Sequence, residues 1–304
     1  MPPYSFELTA HKPAGWPLFS RDEAWRDGVL HTALHLEGML LGLRLSSRGT
    51  TDDPAVAVRC FAAAEPEAAV KKRIKELLTT MLGADYGLSE FYRMAEKDPV
   101  LKLAVRDLYG LHNTRFASLF AAATLAVTLQ MAPIARSNRM QDCLIKRYGD
   151  TAVFDGHSVA CWPEALAVAR ADVDVLFKDC SLGYRAKFLA SAACKVAGGF
   201  PDMEELARMS AEEAKKKIME LPGVGDYSAD IINPHGGFSI DVWSADIFGK
   251  LFFGAKAEVG RSSIERIKAE GIKRWGKWSR LAFVYVVHDL PGISRETGLD
   301  LRLM

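Results

Sequence analysis

The sequence predicts an α+β protein that is mainly helical, with a small antiparallel β domain ahead of a helical body. Two observations predict this class. Hydrophobic residues alternate with a period of two in the N-terminal segment, whereas from Pro66 they recur at helical spacing. Single glycines and prolines then divide the rest of the chain into pieces of helical length. We therefore expect a β domain over residues 1–65 and a helical body over residues 66–304.

Three strands are expected in the β domain. Residues 29–36 place leucines on one face and His31, Ala33 and His35 on the other, which is the alternation of a strand. Glu37 and Gly38 then form a short turn to the next hydrophobic run. The predicted strands are Val29 to Leu36, Met39 to Leu45 and Val56 to Phe61.

The helical pattern begins after Pro66. Hydrophobic residues at positions 70, 74, 77, 78 and 81 fall on one face of a helix. Almost all of the following chain is predicted to be helical. The expected breaks are at Gly87, Pro99, Gly110, Pro133, Gly149, Pro163, Gly183, Gly198 and Pro222.

Composition describes a soluble globular protein. The chain has 304 residues, of which 49% are hydrophobic and 25% charged, and its net charge is +1. The longest apolar stretch, residues 119–129, is too short to span a bilayer, and no secretory leader opens the chain. We therefore expect a cytoplasmic or nucleoid-associated protein, or a nuclear one in a eukaryote.

The cysteines are odd in number and widely scattered. This pattern favours reduced thiols over a disulfide framework. They are Cys60, Cys143, Cys161, Cys180 and Cys194.

The segment from Arg261 to Arg280 contains seven basic residues and two acidic ones. Two interpretations are open. The segment is either a solvated helix face or a stripe that follows a phosphate backbone. Lys273 and Arg274 are the residues that we expect to bind DNA on the second interpretation.

A tight hairpin is expected at residues 221–225, between two helices. Pro222 ends the first helix, and Gly223 and Gly225 permit a crowded or left-handed backbone. The second helix starts at Asp226, and unpaired backbone N–H groups at such a start can hold a phosphate without recognising a base. The expected phosphate-binding residues are Leu221, Gly223, Val224 and Gly225.

Asp241 is a carboxylate in an apolar setting, between Ile240 and Val242. It has two interpretations that do not exclude each other. As the first residue before a helix it would be an N-cap, and as a partly buried acid it could oppose a developing positive charge. Asp246 is the rival acid, for which we expect solvent exposure or a salt bridge.

Taken together, four segments resemble the helix–hairpin–helix DNA glycosylases (the HhH-GPD superfamily), in particular the alkylpurine and 8-oxoguanine types. They are the Leu-Pro-Gly-Val-Gly hairpin, the Ile-Asp-Val-Trp sequence around Asp241, the Leu-Gly-Tyr-Arg-Ala sequence at residues 182–186, and the helix at residues 116–135. The resemblance covers about residues 98–290. It implies a catalytic cleft between two helical lobes.

The resemblance also implies partners and cofactors. The partner would be double-stranded DNA that contains a damaged base, with no membrane and a monomeric protein. A structural monovalent cation at the hairpin carbonyls is compatible with it, and no catalytic metal is expected. An iron–sulfur cluster is not expected, because no cysteine follows Cys194.

For the chemistry, the resemblance implies that Asp241 is catalytic. Bifunctional members have a lysine two residues after the second hairpin glycine, where this chain has Tyr227. A phenol cannot form an imine, so we expect a monofunctional hydrolase. The expected substrate is an alkylated purine of the 3-methyladenine type. The alternatives are an 8-oxoguanine-type glycosylase and a non-catalytic protein that binds DNA structures.

Further site residues follow from the same alignment. Met131 takes the position of the wedge that fills the space of a flipped nucleotide, with Gln130 beside it and Arg136 in reach of the opposite strand. A core methionine and a surface arginine are the alternatives. Aromatic walls would attract a cationic purine, although aromatic residues at helical spacing are more often core. The expected walls are Tyr227, Phe238, Trp243 and Trp162.

Overall fold

The computed structural model describes residues 1–13, 21–254 and 260–301. A four-stranded antiparallel sheet forms near the N-terminus in the order β1-β2-β3-β4. The three predicted strands are confirmed, and β3 runs two residues further than predicted, to Ser47. A short helix and a short first strand were not predicted. The elements are α1 (Phe6–Ala10), β1 (Ala24–Arg26), β2 (Val29–Leu36), β3 (Met39–Ser47) and β4 (Val56–Phe61).

The sheet is covered on both faces. One face buries Leu30 and Leu43 against a helix over residues 68–81. The other buries Ala33 against a two-stranded hairpin at residues 151–160. The expectation that the chain after residue 66 is almost all helical is therefore wrong at this hairpin, whose four-residue strands are too short to show an alternation. Gly42 admits Phe154 of the hairpin, because a Cβ there would lie 2.3 Å from the ring.

Helices make up the rest of the described chain. They are α2 (Ala68–Met81), α3 (Ser89–Ala95), α4 (Leu101–Asp107), α5 (Leu119–Leu129), α6 (Ile134–Tyr148), α7 (Ala165–Ala169), α8 (Val173–Lys178), α9 (Arg185–Ala197), α10 (Met203–Arg208), α11 (Ala211–Ile218), α12 (Asp226–Ile232), α13 (Val242–Phe253), α14 (Arg261–Trp275), α15 (Ser279–His288) and α16 (Leu290–Thr297). The hairpin strands are β5 (Thr151–Phe154) and β6 (His157–Ala160).

The helices pack around separate cores. One core combines α3 and α4 with α13 to α16, around Phe91, Trp275 and Tyr285. The others lie among α5 to α12. The α+β, mainly helical class is thus confirmed. The join between α12 and α13 and the helix α15 carry several of the residues that line the cavity described below. No helix of the described ranges is long and apolar enough to cross a membrane.

Two of the five cysteines are joined. Cys143 of α6 and Cys180 after α8 form a disulfide with a Cα–Cα distance of 5.3 Å. The expectation of reduced thiols is therefore wrong for this pair. The two residues are 37 positions apart and meet only because α6 and the end of α8 share a core, which spacing in the sequence does not show.

Candidate active site

The hairpin between α11 and α12 is anchored by its side chains and exposes its backbone. Leu221 and Val224 are buried in the core of α5 and α12. Gly223 has a φ of +78°, and a Cβ there would lie 2.6 Å from Phe188, so glycine is required at this position. Gly225 has an ordinary φ of −99° and open space around it, so the expectation that it needs unusual backbone freedom is wrong.

Backbone donors of the hairpin remain available. Within the described ranges, no group accepts a hydrogen bond from the N–H of Gly223 or Gly225. The carboxylate of Asp226 follows directly but is held by Lys215 and Lys268. Its charge is therefore balanced beside the donors, and the hairpin keeps the donor geometry that a phosphate oxygen requires.

The loop after α5 is tied to this hairpin. Gln130 Nε2 donates to the Gly223 carbonyl at 2.7 Å and to Ser228 Oγ at 2.8 Å. The buried guanidinium of Arg185 donates to the Gln130 carbonyl. The side-chain amide nitrogen of Gln130 is thus occupied within the protein. This nitrogen holds the loop against the hairpin, and a DNA contact by Gln130 stays a prediction.

Met131 protrudes from the same loop. Its side chain is 79% exposed and its φ is +44°, in the left-handed region that a non-glycine residue rarely adopts. The alternative of a core methionine is therefore wrong, and the wedge role stays a prediction. Arg136 is exposed in the first turn of α6, on the surface that carries Met131.

Asp241 is the N-cap of α13, as one of its two interpretations predicted. Its Oδ1 accepts hydrogen bonds from the Trp243 and Ser244 amides at 3.1 and 2.8 Å, and from Ser244 Oγ at 2.7 Å. Its Oδ2 accepts from the Tyr227 hydroxyl at 3.3 Å. Burial and the charge of Asp241 raise the pKa of Tyr227 above its usual range, so the phenol stays protonated. The carboxylate is thus fixed in one orientation.

A cavity of about 270 Å³ contains this carboxylate. Tyr227, Trp243 and Trp162 also line it, so three of the four predicted aromatic walls are brought together. Phe238 does not line the cavity; it is 1% exposed and packs edge-to-face on Phe248 and Trp275. This correction has a simple cause. Phe238 lies on the core side of the segment that connects α12 to α13, and Phe283 of α15 lines the cavity instead.

Four cationic side chains line the cavity, none of which the sequence placed there, and two of them, Lys12 and Arg280, have no ion pair within the described ranges. Lys12 lies in the N-terminal segment, far from every motif, and its Nζ donates to Thr114 Oγ1 at 2.5 Å. Arg280 is the second residue of α15, and its guanidinium donates to Ser239 Oγ at 3.1 Å. Burial lowers the pKa of Lys12 to about 8 and also lowers the pKa of Arg280. No sequence signal identifies Lys12.

The basic segment on α14 and after it is not the expected continuous stripe. Carboxylates pair with Arg261, Lys268, Arg274 and Lys277. Arg274 also stacks over Phe252 at 4.6 Å and lines a groove beside α3, away from the cavity. Lys273 is exposed and has no ion pair within the described ranges. The solvated-face interpretation therefore fits this helix better, and DNA binding by Lys273 and Arg274 stays a prediction.

Asp246, the rival acid, forms a salt bridge with Lys250, the first lysine after Asp241. Lys250 Nζ lies 2.9 Å from Asp246 Oδ2 and donates to the Asp300 carbonyl at 2.9 Å. Asp246 is thus in a salt bridge, as expected. Neither residue lines the cavity.

Known proteins of similar sequence are DNA glycosylases. The chain is 24% identical over 168 residues to the DNA-3-methyladenine glycosylase of Bacillus subtilis, which covers 53% of this chain and 54% of that protein. The chain therefore spans about half the length of this relative. It is 21% identical to the probable N-glycosylase/DNA lyase of Methanothermobacter thermautotrophicus, over 77% of this chain and 78% of that protein. No protein-family profile matches the chain.

Solved structures that share the fold of this chain are also DNA glycosylases. The 3-methyladenine DNA glycosylase of Archaeoglobus fulgidus superposes with a TM-score of 0.72 at 19% identity, covering 93% of this chain and 92% of that one. The 8-oxoguanine glycosylase/lyase of Clostridium acetobutylicum superposes with a TM-score of 0.70 at 14% identity, covering 95% and 93%. The resemblance to the helix–hairpin–helix DNA glycosylases is confirmed, and the chain has their fold.

Proposed function

We propose that this protein is a DNA N-glycosylase that removes a damaged base by hydrolysis and has no lyase activity. One observation carries the proposal. A carboxylate fixed by four donors, Asp241, stands in an aromatic-lined cavity of about 270 Å³ beside a hairpin with free backbone N–H groups. The relatives and the shared fold support the glycosylase part of the proposal.

The geometry suits the reaction. Cleavage of the C1′–N bond leaves its electron pair on the base and a positive charge on the sugar. Asp241 would stabilise that charge, and it is already oriented, because Oδ1 is held by the start of α13. Water then attacks C1′ and loses a proton, which the remaining oxygen of Asp241 would accept, because Asp241 is the carboxylate that lines the described cavity.

The surface next to the cavity would hold the DNA while the nucleotide is flipped out of the duplex. The hairpin N–H groups of Gly223 and Gly225 would hold a phosphate, and Met131 would occupy the vacated stack. Gln130 couples the two, because it connects the Met131 loop to the Gly223 carbonyl. The hairpin cation also stays a proposal. The Gly223 carbonyl, one of its expected ligands, already accepts from Gln130.

The absence of lyase activity rests on Tyr227 and needs its own test, since one relative is named an N-glycosylase/DNA lyase. Lys250 is held by Asp246, and among the described residues Lys12 is the lysine that lines the cavity. We expect intact abasic sites after reaction and no adduct trapped by borohydride. A trapped adduct that disappears in Lys12→Met would make Lys12 the nucleophile and overturn the monofunctional assignment.

The hairpin assignment is tested by Gly225→Val. Since Gly225 has open space and an ordinary φ, the variant should keep the thermal stability of the wild type while it blocks phosphate approach. We expect equally weakened binding of damaged and undamaged duplexes, because phosphate contacts carry no information about the base. Weakened binding of the damaged duplex alone would place the hairpin in the base pocket instead.

A further inference from the structure

The cavity was expected to take a cationic base. It is nevertheless lined by Lys12 and Arg280, two cations that have no ion pair among the described residues. We propose that Lys12, together with Arg280, makes the cavity select an uncharged or anionic base that carries extra carbonyl oxygens. Oxidised and deaminated bases form this class, and cationic N-alkylated purines would be rejected. The inference rests on the proposed glycosylase function and assigns Lys12 as a residue that determines specificity.

Lys12 is a buried ammonium that has no anion paired with it among the described residues. It is 7% exposed, and within those residues its hydrogen-bond partner is the neutral hydroxyl of Thr114. No carboxylate of the described residues lies within ion-pair distance of Lys12 Nζ. Glu23 raises the pKa of Lys12 from further away, but burial outweighs it and the pKa falls to about 8. Lys12 therefore carries its charge at pH 7.

Arg280 supplies a second positive charge on the same cavity. Its guanidinium donates to Ser239 Oγ, and no ion pair to it exists within the described part of the chain. Asp230 and Tyr227 act on it electrostatically, although Asp230 is committed to Lys215 and Lys268. An arginine keeps its charge at every pH at which DNA remains a duplex.

Among the other charged residues of the described cavity wall, only Asp241 opposes these two positive charges. Arg21 and Arg115 are paired with Asp142 and Asp85. His288 is buried beside Lys12, and both effects lower its pKa to about 3, so it is neutral. Asp241 is the one carboxylate on the described wall, and its place is opposite the sugar.

The recognising chemistry follows from this arrangement. Lysine and arginine side chains are donors without acceptor atoms, so they match carbonyl oxygens on a base edge. A base that bears a positive charge would meet the buried ammonium of Lys12 and the partly buried guanidinium of Arg280, in a region of lowered dielectric where like charges repel strongly. Oxidation adds a carbonyl oxygen to a purine, and deamination replaces an amino group with one. Both changes create the acceptor that Lys12 requires.

The test compares two guanine derivatives that differ in charge. Duplexes of one sequence carry 8-oxoguanine or 7-methylguanine opposite cytosine, and base release is measured under single-turnover conditions after subtraction of enzyme-free loss. We expect the wild type to release 8-oxoguanine at least ~10-fold faster, because like-charge juxtaposition costs several kcal/mol. Lys12→Met should reduce this ratio about tenfold or more, whereas Lys12→Arg, which keeps the charge, should preserve most of it. Lys102→Met, on the exposed side of α4, is the matched control and should keep the wild-type ratio.

Four results would contradict the proposal, and they can be told apart. Faster release of 7-methylguanine by the wild type would overturn the charge selection and leave the glycosylase function standing. An unchanged ratio in an active Lys12→Met variant would remove Lys12 from specificity. Release of 3-methyladenine alone, from a panel that also includes 8-oxoguanine, 7-methylguanine, hypoxanthine and uracil duplexes, would overturn this inference and leave the glycosylase function standing, whereas release of no base from the whole panel would overturn both. The wild-type ratio decides the first point even if the variants do not fold.

Discussion

Two groups of partly or fully buried cations in this protein have opposite surroundings. Beside the hairpin, Lys215 and Lys268 both bond Asp226 and Asp230, which gives two positive and two negative charges in one cluster. In the cavity, the hydrogen-bond partners of Lys12 and Arg280 among the described residues are neutral hydroxyl groups. We call these the hairpin cluster and the cavity pair.

The difference teaches where a buried charge contributes to folding and where it is kept for a ligand. Asp230 is 5% exposed in its side chain and satisfied by two ammonium groups, so the hairpin cluster fixes α11, α12 and α14 together. An unmatched ammonium instead disfavours the folded state, because desolvation is not offset. The protein retains it at the cavity, where a bound base would supply the missing acceptor.

Breaking the hairpin cluster should have the largest effect on stability. Asp230→Asn leaves Lys215 and Lys268 with only Asp226, which is largely exposed. We expect the free energy of unfolding to fall by ~2–4 kcal/mol, somewhat less than for a fully buried pair because both lysines are partly solvated. Denaturant unfolding measures this loss. A loss below about 0.5 kcal/mol would mean that the cluster is no more than a surface network.

The cavity pair should respond in the opposite direction. Lys12→Met removes an unmatched buried ammonium and keeps the length of the side chain. We expect the variant to be more stable than the wild type by up to ~3 kcal/mol, since one pKa unit corresponds to 1.36 kcal/mol. Destabilisation of the variant would show that Lys12 is matched in solution and would remove the contrast between the two groups.

The same contrast has a pH dependence. The folded pKa of Lys12, about 8, lies below its unfolded value, so the unfolded state binds more protons between pH 8 and 10.5. As pH rises through this window, Lys12 loses its proton, its destabilising effect fades, and the free energy of unfolding of the wild type rises. We expect the stability advantage of Lys12→Met to be full below pH 8 and to shrink towards pH 10.5. Unfolding of both proteins at pH 7 and pH 10 measures it, and an advantage that does not change with pH would contradict the assignment.

Removal of an exposed ion pair should have the smallest effect on stability, and it serves as the reference for the hairpin cluster and the cavity pair. Arg261 and Glu265 pair at 2.8 Å on α14, with side chains 92% and 63% exposed. Arg261→Ala should leave the unfolding midpoint within experimental error, because exposed ion pairs contribute little. A clear shift in that midpoint would indicate that exposed charges on α14 matter more for stability than their solvation allows.

Local signals in the sequence predict most of the fold and half of the site. Alternation predicted β2, β3 and β4, and the two glycines with Pro222 predicted the hairpin, because these features act over a few residues. Asp241 and Tyr227 could be placed by the motif that contains both. These are the parts where neighbouring residues determine the structure.

Contacts between distant segments could not be predicted. Lys12 meets Thr114 across 102 residues, and Cys143 meets Cys180 only through packing of α6. Phe238 lies near the motif and Phe283 lies outside it, yet the fold places Phe283 and not Phe238 on the cavity wall. The pairing of four basic residues from the segment 261–280 with carboxylates is likewise tertiary, so a charge pattern alone suggested a stripe that the structure does not have.

The central claim is that Asp241 stabilises a sugar cation during base hydrolysis, and one measurement tests it most directly. Base release by Asp241→Asn is followed under single-turnover conditions on a lesion duplex that the wild type processes, with Asp246→Asn as the matched control outside the cavity. Asparagine keeps the capping oxygen but removes the charge. The account predicts that Asp241→Asn retains its fold and its DNA binding and loses at least ~100-fold in rate, whereas Asp246→Asn remains active. Near wild-type release by Asp241→Asn would contradict it.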